Sequence, residues 1–174
     1  MRDEGSLPAD IIIDGQIQAE REDLIVRALS GLGVSASVRI LPTRRAVSDL
    51  QWLVLAVLPL QAFLTSIGGK MADDAYKQFQ AAVRKLLHPG QPAPASTALP
   101  PPAARPMVLQ DAATGLQIIL EPDLPATAYE ELVSLKLTSF RLGPVHYDRA
   151  QQRWRSELDE ARADDGAKAT DRSG

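Results

Sequence analysis

The feature that most constrains this chain is an uncharged stretch of eighteen residues, from Leu50 to Ile67. Eleven of its side chains are large and apolar, namely Leu50, Trp52, Leu53, Val54, Leu55, Val57, Leu58, Leu60, Phe63, Leu64 and Ile67. Because burial of one such side chain contributes about 1.5–3 kcal/mol, leaving all of them in water would forgo roughly 15–30 kcal/mol. The stretch must therefore lie in a hydrophobic core, in an interface or in a membrane.

A single helix is the structure that we predict for this stretch. Ser48 is a suitable N-cap, and Gly68 directly follows the last residue of the stretch, where a helix can end. Pro59 lies inside the predicted helix. We therefore expect a kink or a break near residues 55–59.

One narrow polar strip runs along this predicted helix. At about 100° per residue, Gln51, Gln61 and Thr65 fall within an arc of about 80°. Leu58 falls on this strip, whereas Leu55 falls among apolar side chains. The geometry suits the centre of a soluble domain or a dimer interface, and it predicts more damage from a charge at Leu55 than from one at Leu58.

Association with a membrane is the alternative for residues 50–67. Eighteen uncharged residues reach the lower edge of the length that spans a bilayer. Trp52 lies near one end of the stretch, as aromatic residues do at membrane interfaces. Pro59 and the polar residues oppose insertion, so we favour the soluble core or interface and keep the membrane as the alternative.

The other elements follow from hydrophobic periodicity and from turn residues. In chain order they are a strand at 11–13, a helix at 19–32, a strand at 34–41, a helix at about 72–87, a hairpin of 107–111 with 116–121, a short helix at 126–138 and a hairpin of 145–149 with 153–156. Strands and helices mix without regular βαβ alternation, so we predict an α+β fold. Its small mixed sheet (β-α-β, α-α, β-hairpin, α, β-hairpin) packs around the apolar central helix.

The predicted organisation is one domain with a linker and tails. Residues 1–9 form a flexible N-terminus, 10–88 the first part of the core and 107–156 the second part of the same domain. Between these parts, residues 89–106 contain seven prolines and predict an extended, proline-rich linker. Residues 157–174 are charged and predict a frayed helix followed by a largely disordered tail.

Composition excludes several functions. The chain has 174 residues, no Cys, only two His and a net charge of -3. Thiol catalysis and thiolate metal sites are therefore excluded, and there is no broad basic field for nucleic acid. No motif for a phosphate, a metal or a nucleophilic serine is present, so we predict no cofactor, no metal and no enzymatic activity. The N-terminus does not have the pattern of a secretory signal, so we predict a cytoplasmic location.

His146 and Asp148 are the one pair with a catalytic interpretation. Two residues apart on a strand, they share a face. The sequence fixes no nucleophile for them, and Ser134, Ser139 and Ser156 are only nearby serines. A hydrolase centred on His146 is therefore a remote alternative. We favour an ion pair of Asp148 with Arg153 or Arg155 across the hairpin.

The candidate interaction surface consists of Arg44, Arg45 and Trp52. The two arginines lie between a strand end and the start of the apolar segment, where an exposed recognition site is plausible by position. The competing interpretation is that they only keep this strand end soluble. The predicted partner is an unidentified protein, with a second copy of the chain among the candidates.

Four segments occur in a recognisable order: VRILPTRR, DLQWLVLAVLPLQAFLTSI, DDAYKQFQAAVRKLL and MVLQDAATGLQIILEP. Over about residues 34–121 this order resembles the effector-associated constant component domains of actinobacterial conflict systems. The resemblance implies a small accessory domain, encoded beside proteases and other effectors, and it assigns no functional residue. We therefore predict a non-enzymatic, soluble bacterial accessory or interaction protein, with a role in a conflict or defence system.

Overall fold

The computed structural model of the chain describes residues 6–14, 19–41, 54–69, 74–87 and 106–162. Their elements are β1 (Leu7–Asp14), α1 (Ala19–Gly31), β2 (Val34–Leu41), β3 (Val54–Leu58), α2 (Leu60–Gly69), α3 (Asp74–Leu87), β4 (Met107–Asp111), β5 (Gln117–Leu120), α4 (Ala126–Val133), a 3₁₀ helix (Leu137–Ser139), β6 (His146–Asp148) and β7 (Arg153–Arg155). The predicted α+β class is confirmed.

The main sheet has five strands in the order β2-β1-β3-β4-β5. β1 with β2 and β3 with β4 are parallel, whereas the other two neighbouring pairs are antiparallel. Parallel neighbours need a crossover connection, which α1 supplies for the first pair and α2 with α3 for the second. The β6–β7 hairpin is a separate two-stranded sheet.

The predicted single helix over residues 50–67 is wrong, because residues 54–58 form a strand. Pro59 separates β3 from α2, and its carbonyl accepts the first helical bond from the Phe63 N–H at 3.0 Å. Proline suits this boundary because its fixed φ fits a helix start and its missing N–H costs nothing there. The uninterrupted apolar sequence of β3 is typical of a strand with both faces at least partly covered; Leu55 and Val57, on the face opposite the core, are half-buried.

The described part of the apolar stretch lies in the hydrophobic core. On β3, Val54, Ala56 and Leu58 are buried. The buried side chains of α2 are Leu60, Phe63, Leu64 and Ile67. None of the described helices combines the length and apolar character that crossing a membrane requires.

Several predicted elements are confirmed close to their predicted bounds. β2 has the predicted bounds, and the predicted helix at about 72–87 is α3. α3 buries an apolar stripe that includes Phe79, whose ring packs edge-on against Phe63 with 5.8 Å between the ring centroids. The predicted β4–β5 hairpin is present, and Gly115 in its turn has a positive φ of 74°. A left-handed conformation of this kind is unstrained only in a residue without Cβ.

Two predicted boundaries are corrected, and the helix predicted at the start of the C-terminal tail is confirmed. β1 begins at Leu7, so residues 7–9 belong to the sheet rather than to a flexible N-terminus. α4 ends at Val133 because Ser134 leaves the helical conformation, and a short 3₁₀ helix follows. Residues 157–162, at the start of the predicted tail, are helical as predicted, and the Asp159 carboxylate ties them to the Arg141 and Leu142 amides at 2.8 and 3.0 Å.

Two further predictions concern segments that lie mostly outside the described residues. The linker prediction concerns residues 89–106, of which all but the last lie outside the described ranges. Residues 163–174 of the predicted tail also lie outside them. The two predicted halves of the domain nevertheless share one sheet, because β3 from the first half pairs with β4 from the second.

Candidate interaction site at the edge of the sheet

The predicted interaction surface of Arg44, Arg45 and Trp52 lies outside the described residues. In sequence, the three residues fall between the end of β2 and the start of β3. Their position relative to one another therefore stays a prediction.

The residues of the hydrolase hypothesis are described, and their polar groups are engaged elsewhere. Asp148 accepts bonds from the Ala150 and Gln151 amides at 2.8 and 3.0 Å and pairs with Arg155. The Gln151 amide and the Arg155 guanidinium together lower the pKa of Asp148. The Ser156 hydroxyl donates to the Leu142 carbonyl. The predicted ion pair of Asp148 with Arg155 is confirmed.

His146 faces a different carboxylate. Its Nε2 lies 3.5 Å from Oε1 of Glu157, on an exposed side chain. Among the described residues, no group of three or more His, Asp and Glu side chains is arranged to hold a metal ion. The geometry around His146 is therefore that of a surface pair next to the β6–β7 hairpin, with Ser156 turned toward Leu142.

Asp111 is the most buried carboxylate among the described residues, at 8% exposure. Its Oδ1 accepts the Leu60 N–H at 3.0 Å, and its Oδ2 accepts the Thr114 N–H and hydroxyl at 3.0 and 2.8 Å. Burial opposes ionisation, but the bonds from Thr114 and Leu60 outweigh it, so the pKa of Asp111 is lowered. Asp111 therefore caps the start of α2 from the end of β4, which is a structural role.

Two buried tyrosines have hydroxyls without a hydrogen-bond partner in the described part of the chain, Tyr129 and Tyr147. Burial raises the pKa of Tyr129 to about 12, although the nearby Arg84 opposes this. The guanidinium of Arg84 lies 6.0 Å from the ring centre of Tyr129. At neutral pH the hydroxyl of Tyr129 is therefore protonated and cannot act as a base.

A cavity of about 480 Å³ lies between α1 and α3. Leu24, Ala28 and Ala82 contribute its apolar surface, and Arg27 and Lys85 also line it. It is a shallow space left where small side chains of the two helices meet. Among the described residues, no unpartnered buried polar side chain lines it.

The two edges of the five-stranded sheet differ. Beyond β5, the Val145 N–H donates to the Gln117 carbonyl at 2.8 Å, and the Val145 carbonyl accepts from the Ile119 N–H at 2.9 Å. Beyond β2, at the other edge, no described residue pairs with the strand. The edge of β2 is therefore the open edge of the described sheet.

The hydrogen-bonding groups at this open edge follow from the register with β1. The Gly33 carbonyl accepts the Leu7 N–H at 2.8 Å, and Leu7 is opposite Val34 in the parallel pair. Because alternate residues of a strand direct their backbone groups to opposite sides, every second residue from Val34 points away from β1. These outward residues are Val34, Ala36, Val38 and Ile40.

The side chains along β2 leave the edge nearly unprotected. Ala36 and Val38 are half-buried, and Ile40 is 57% exposed on the same side of the sheet as the buried Val34. Natural edge strands usually carry charges, Pro or a bulge that discourage pairing with another strand. Over its eight residues, β2 has a single charged side chain, Arg39, and no proline. This edge is the candidate interaction site.

Sequence reasoning found the strand but not its position at an edge. Strand order depends on contacts between distant residues, so a local pattern does not reveal it. One signal was available: β2 alternates with Ser35 and Ser37 on one face, whereas the central β3 is apolar at every position. Alternation of this kind indicates that only one face of β2 is covered, and it does not by itself place the strand at an edge.

Comparisons of this chain with family models, with curated proteins and with solved structures find no match. The fold is that of an α+β protein whose main sheet, in its described part, ends in an eight-residue strand that pairs with a neighbour on one side only.

Proposed function

We propose that the protein is a non-enzymatic accessory protein that binds a protein partner by strand addition at the edge of β2. The observation that carries the proposal is the contrast between the two sheet edges: Val145 pairs with β5 at one edge, and no described residue pairs with β2 at the other. In strand addition, main-chain hydrogen bonds supply affinity, and alternate side chains supply specificity.

The properties of β2 support this mode of binding over a flat side-chain contact. Four alternate residues of β2 direct both their N–H and their C=O groups outward along the same edge. The apolar side chains of Val38 and Ile40 lie beside that row and are partly exposed. A partner strand would therefore gain backbone pairing and apolar contact from the same edge.

The biological setting remains the one that the sequence indicates. The resemblance to actinobacterial effector-associated domains spans about residues 34–121, which includes β2. We propose a soluble, cytoplasmic component of a bacterial conflict or defence system. Arg44, Arg45 and Trp52, which follow β2 in sequence, remain proposed members of the same interaction surface.

Selection from a phage-displayed library of random eight-residue peptides on the immobilised full-length protein tests this function. We expect the enriched peptides to alternate apolar and polar residues, as a strand with one covered face requires. Their binding should perturb the backbone amide resonances of Val34, Ala36, Val38 and Ile40 before any others. The expected weakening by Ile40→Lys is at least about tenfold, or 1.4 kcal/mol.

The matched control is Leu158→Lys. Leu158 is 52% exposed, close to the exposure of Ile40, and it lies in the C-terminal segment rather than on β2. This substitution should leave peptide binding unchanged. Failure to enrich any peptide, or enrichment of peptides whose binding Ile40→Lys does not weaken, would show that the edge is not the site.

A further inference from the structure

The geometry of β2 points to a second copy of this chain as the partner, joined by antiparallel pairing of the two β2 strands. This inference rests on the proposed function, because it requires the β2 edge to accept a strand. A two-fold axis at Ser37 would place the β2 edge of one copy against the β2 edge of the other, so that both copies use the same surface, as a two-fold symmetric interface requires. Two five-stranded sheets would then become one continuous sheet.

When the two-fold axis lies at Ser37, all four outward residues of each β2 strand take part in the pairing. Val34 lies opposite Ile40 of the second copy, and Ala36 lies opposite Val38. All of these residues direct their N–H and C=O groups outward, so each pair exchanges two hydrogen bonds, or about eight across the interface. A shift of the axis to Val38 would place Val34 opposite Pro42, which has no backbone N–H to donate.

The side chains suit this register. Ile40, at 57% exposure, would pack against Val34 of the second copy on the side of the sheet that holds the core. On the other side, Arg39 lies opposite Ser35, so the single charge of the strand does not face its symmetry mate. Like charges directly opposite one another would destabilise such a pair, and this register avoids them.

Cysteine cross-linking tests the register, because the chain has no Cys of its own. Ser37 is exposed and would face its symmetry mate as a non-hydrogen-bonded pair, with a Cα separation of about 4.5 Å. That separation lies within the range of a disulfide. Ser37→Cys is therefore expected to form a disulfide-linked dimer under mild oxidation.

Ser35→Cys is the matched control for the cross-link. Ser35 is exposed on the same face. In this register, however, Ser35 of the second copy is offset from it by four residues along the strand. At about 3.3 Å per residue the two sulfurs would be roughly 13 Å apart, which is too far for a disulfide. We expect at least about a tenfold lower cross-linked fraction than for Ser37→Cys, and equal cross-linking of the two variants would overturn the register.

Sedimentation equilibrium of the full chain tests the dimer itself. Wild type and Leu158→Lys are expected to show a concentration-dependent rise to twice the 18.8 kDa chain mass, and Ile40→Lys is expected to remain a monomer with an unchanged melting curve. A wild-type monomer at all concentrations, or equal dimerisation of the two Lys variants, would overturn the inference. If library peptides still bound to β2 in that case, the proposed function would stand with a different partner.

Discussion

Leu58→Asp is expected to abolish soluble expression, whereas Leu55→Asp leaves a folded but weakened protein. Leu58 is 1% exposed on the core side of β3, and its neighbour in the register with β4 is Asp111. The new carboxylate would be buried without a partner and would face the ionised Asp111. A buried unpaired charge costs several kcal/mol against a total stability of about 5–15 kcal/mol.

Leu55 lies on the opposite face of the same strand and is half-buried. Its cross-strand neighbours are Ile12 and Val108, so a carboxylate there meets apolar side chains but retains access to water. The two variants are compared by their soluble yield. The urea midpoint of unfolding is then measured for any variant that is soluble. A single helix over residues 50–67 predicts the reverse order, so equal damage or greater damage at Leu55 would contradict β3 as placed here.

Asp111→Ala is expected to lower the free energy of unfolding by about 2–4 kcal/mol, as loss of a cap and of a buried hydrogen bond together predict. Leu60, whose N–H bonds to Asp111, is fully buried at 0% exposure. Its amide would lose its partner without gaining one from water. Thr114 is exposed, so its two donors can turn to solvent and add less to the loss.

Asp111→Asn and Thr114→Val are the matched controls. Asn keeps one side-chain oxygen that can accept the Leu60 N–H, and Thr114→Val removes only the hydroxyl bond at 2.8 Å. In urea unfolding at neutral pH, both variants should show a smaller loss in the free energy of unfolding than Asp111→Ala. An equal loss in all three variants would contradict the capping role of Asp111.

The pH dependence of this difference follows from the lowered pKa of Asp111. A group whose folded pKa is lower than its unfolded pKa adds stability above the unfolded value and loses it as the pH falls through the folded one. The gap between wild type and Asp111→Asn should therefore shrink as the pH falls below about 4, the ordinary pKa of an aspartate. A gap that does not change with pH would contradict an ionised Asp111 as the cap.

The elements that the sequence predicted well are those with strong local signals. α3 has an apolar stripe at helical spacing, with Asp74 in its first turn and Arg84 and Lys85 in its last, and these signals act within one or two turns. The β4–β5 hairpin has Gly115 where the turn needs a positive φ. In such segments the local preference and the tertiary structure agree.

β3 was predicted as a helix because its signal is not local. A short apolar run is compatible with a buried strand or a buried helix, and length then favoured the helix. What makes residues 54–58 a strand is pairing with β1 and β4, whose partner residues are distant in sequence. The cap at Leu60 likewise comes from Asp111, 51 residues away.

The candidate site was predictable only in part. Serines alternating with apolar residues indicated a half-covered strand over Val34–Leu41. Its open edge depends on the strand order, and the cover on the opposite edge depends on Val145 reaching β5. Neither arrangement is encoded in a motif, whereas the predicted surface of Arg44, Arg45 and Trp52 was chosen from charge and position alone.

Residue-resolved amide hydrogen exchange along β2, at low and at high protein concentration, tests strand addition most directly. The Ser35, Ser37 and Arg39 amides point toward β1 and should exchange slowly at both concentrations. The Val34, Ala36, Val38 and Ile40 amides should exchange fast in dilute solution and slow at least about tenfold when the edge is paired. Fast exchange of these four amides at both concentrations, or protection of all seven in dilute solution, would contradict the account.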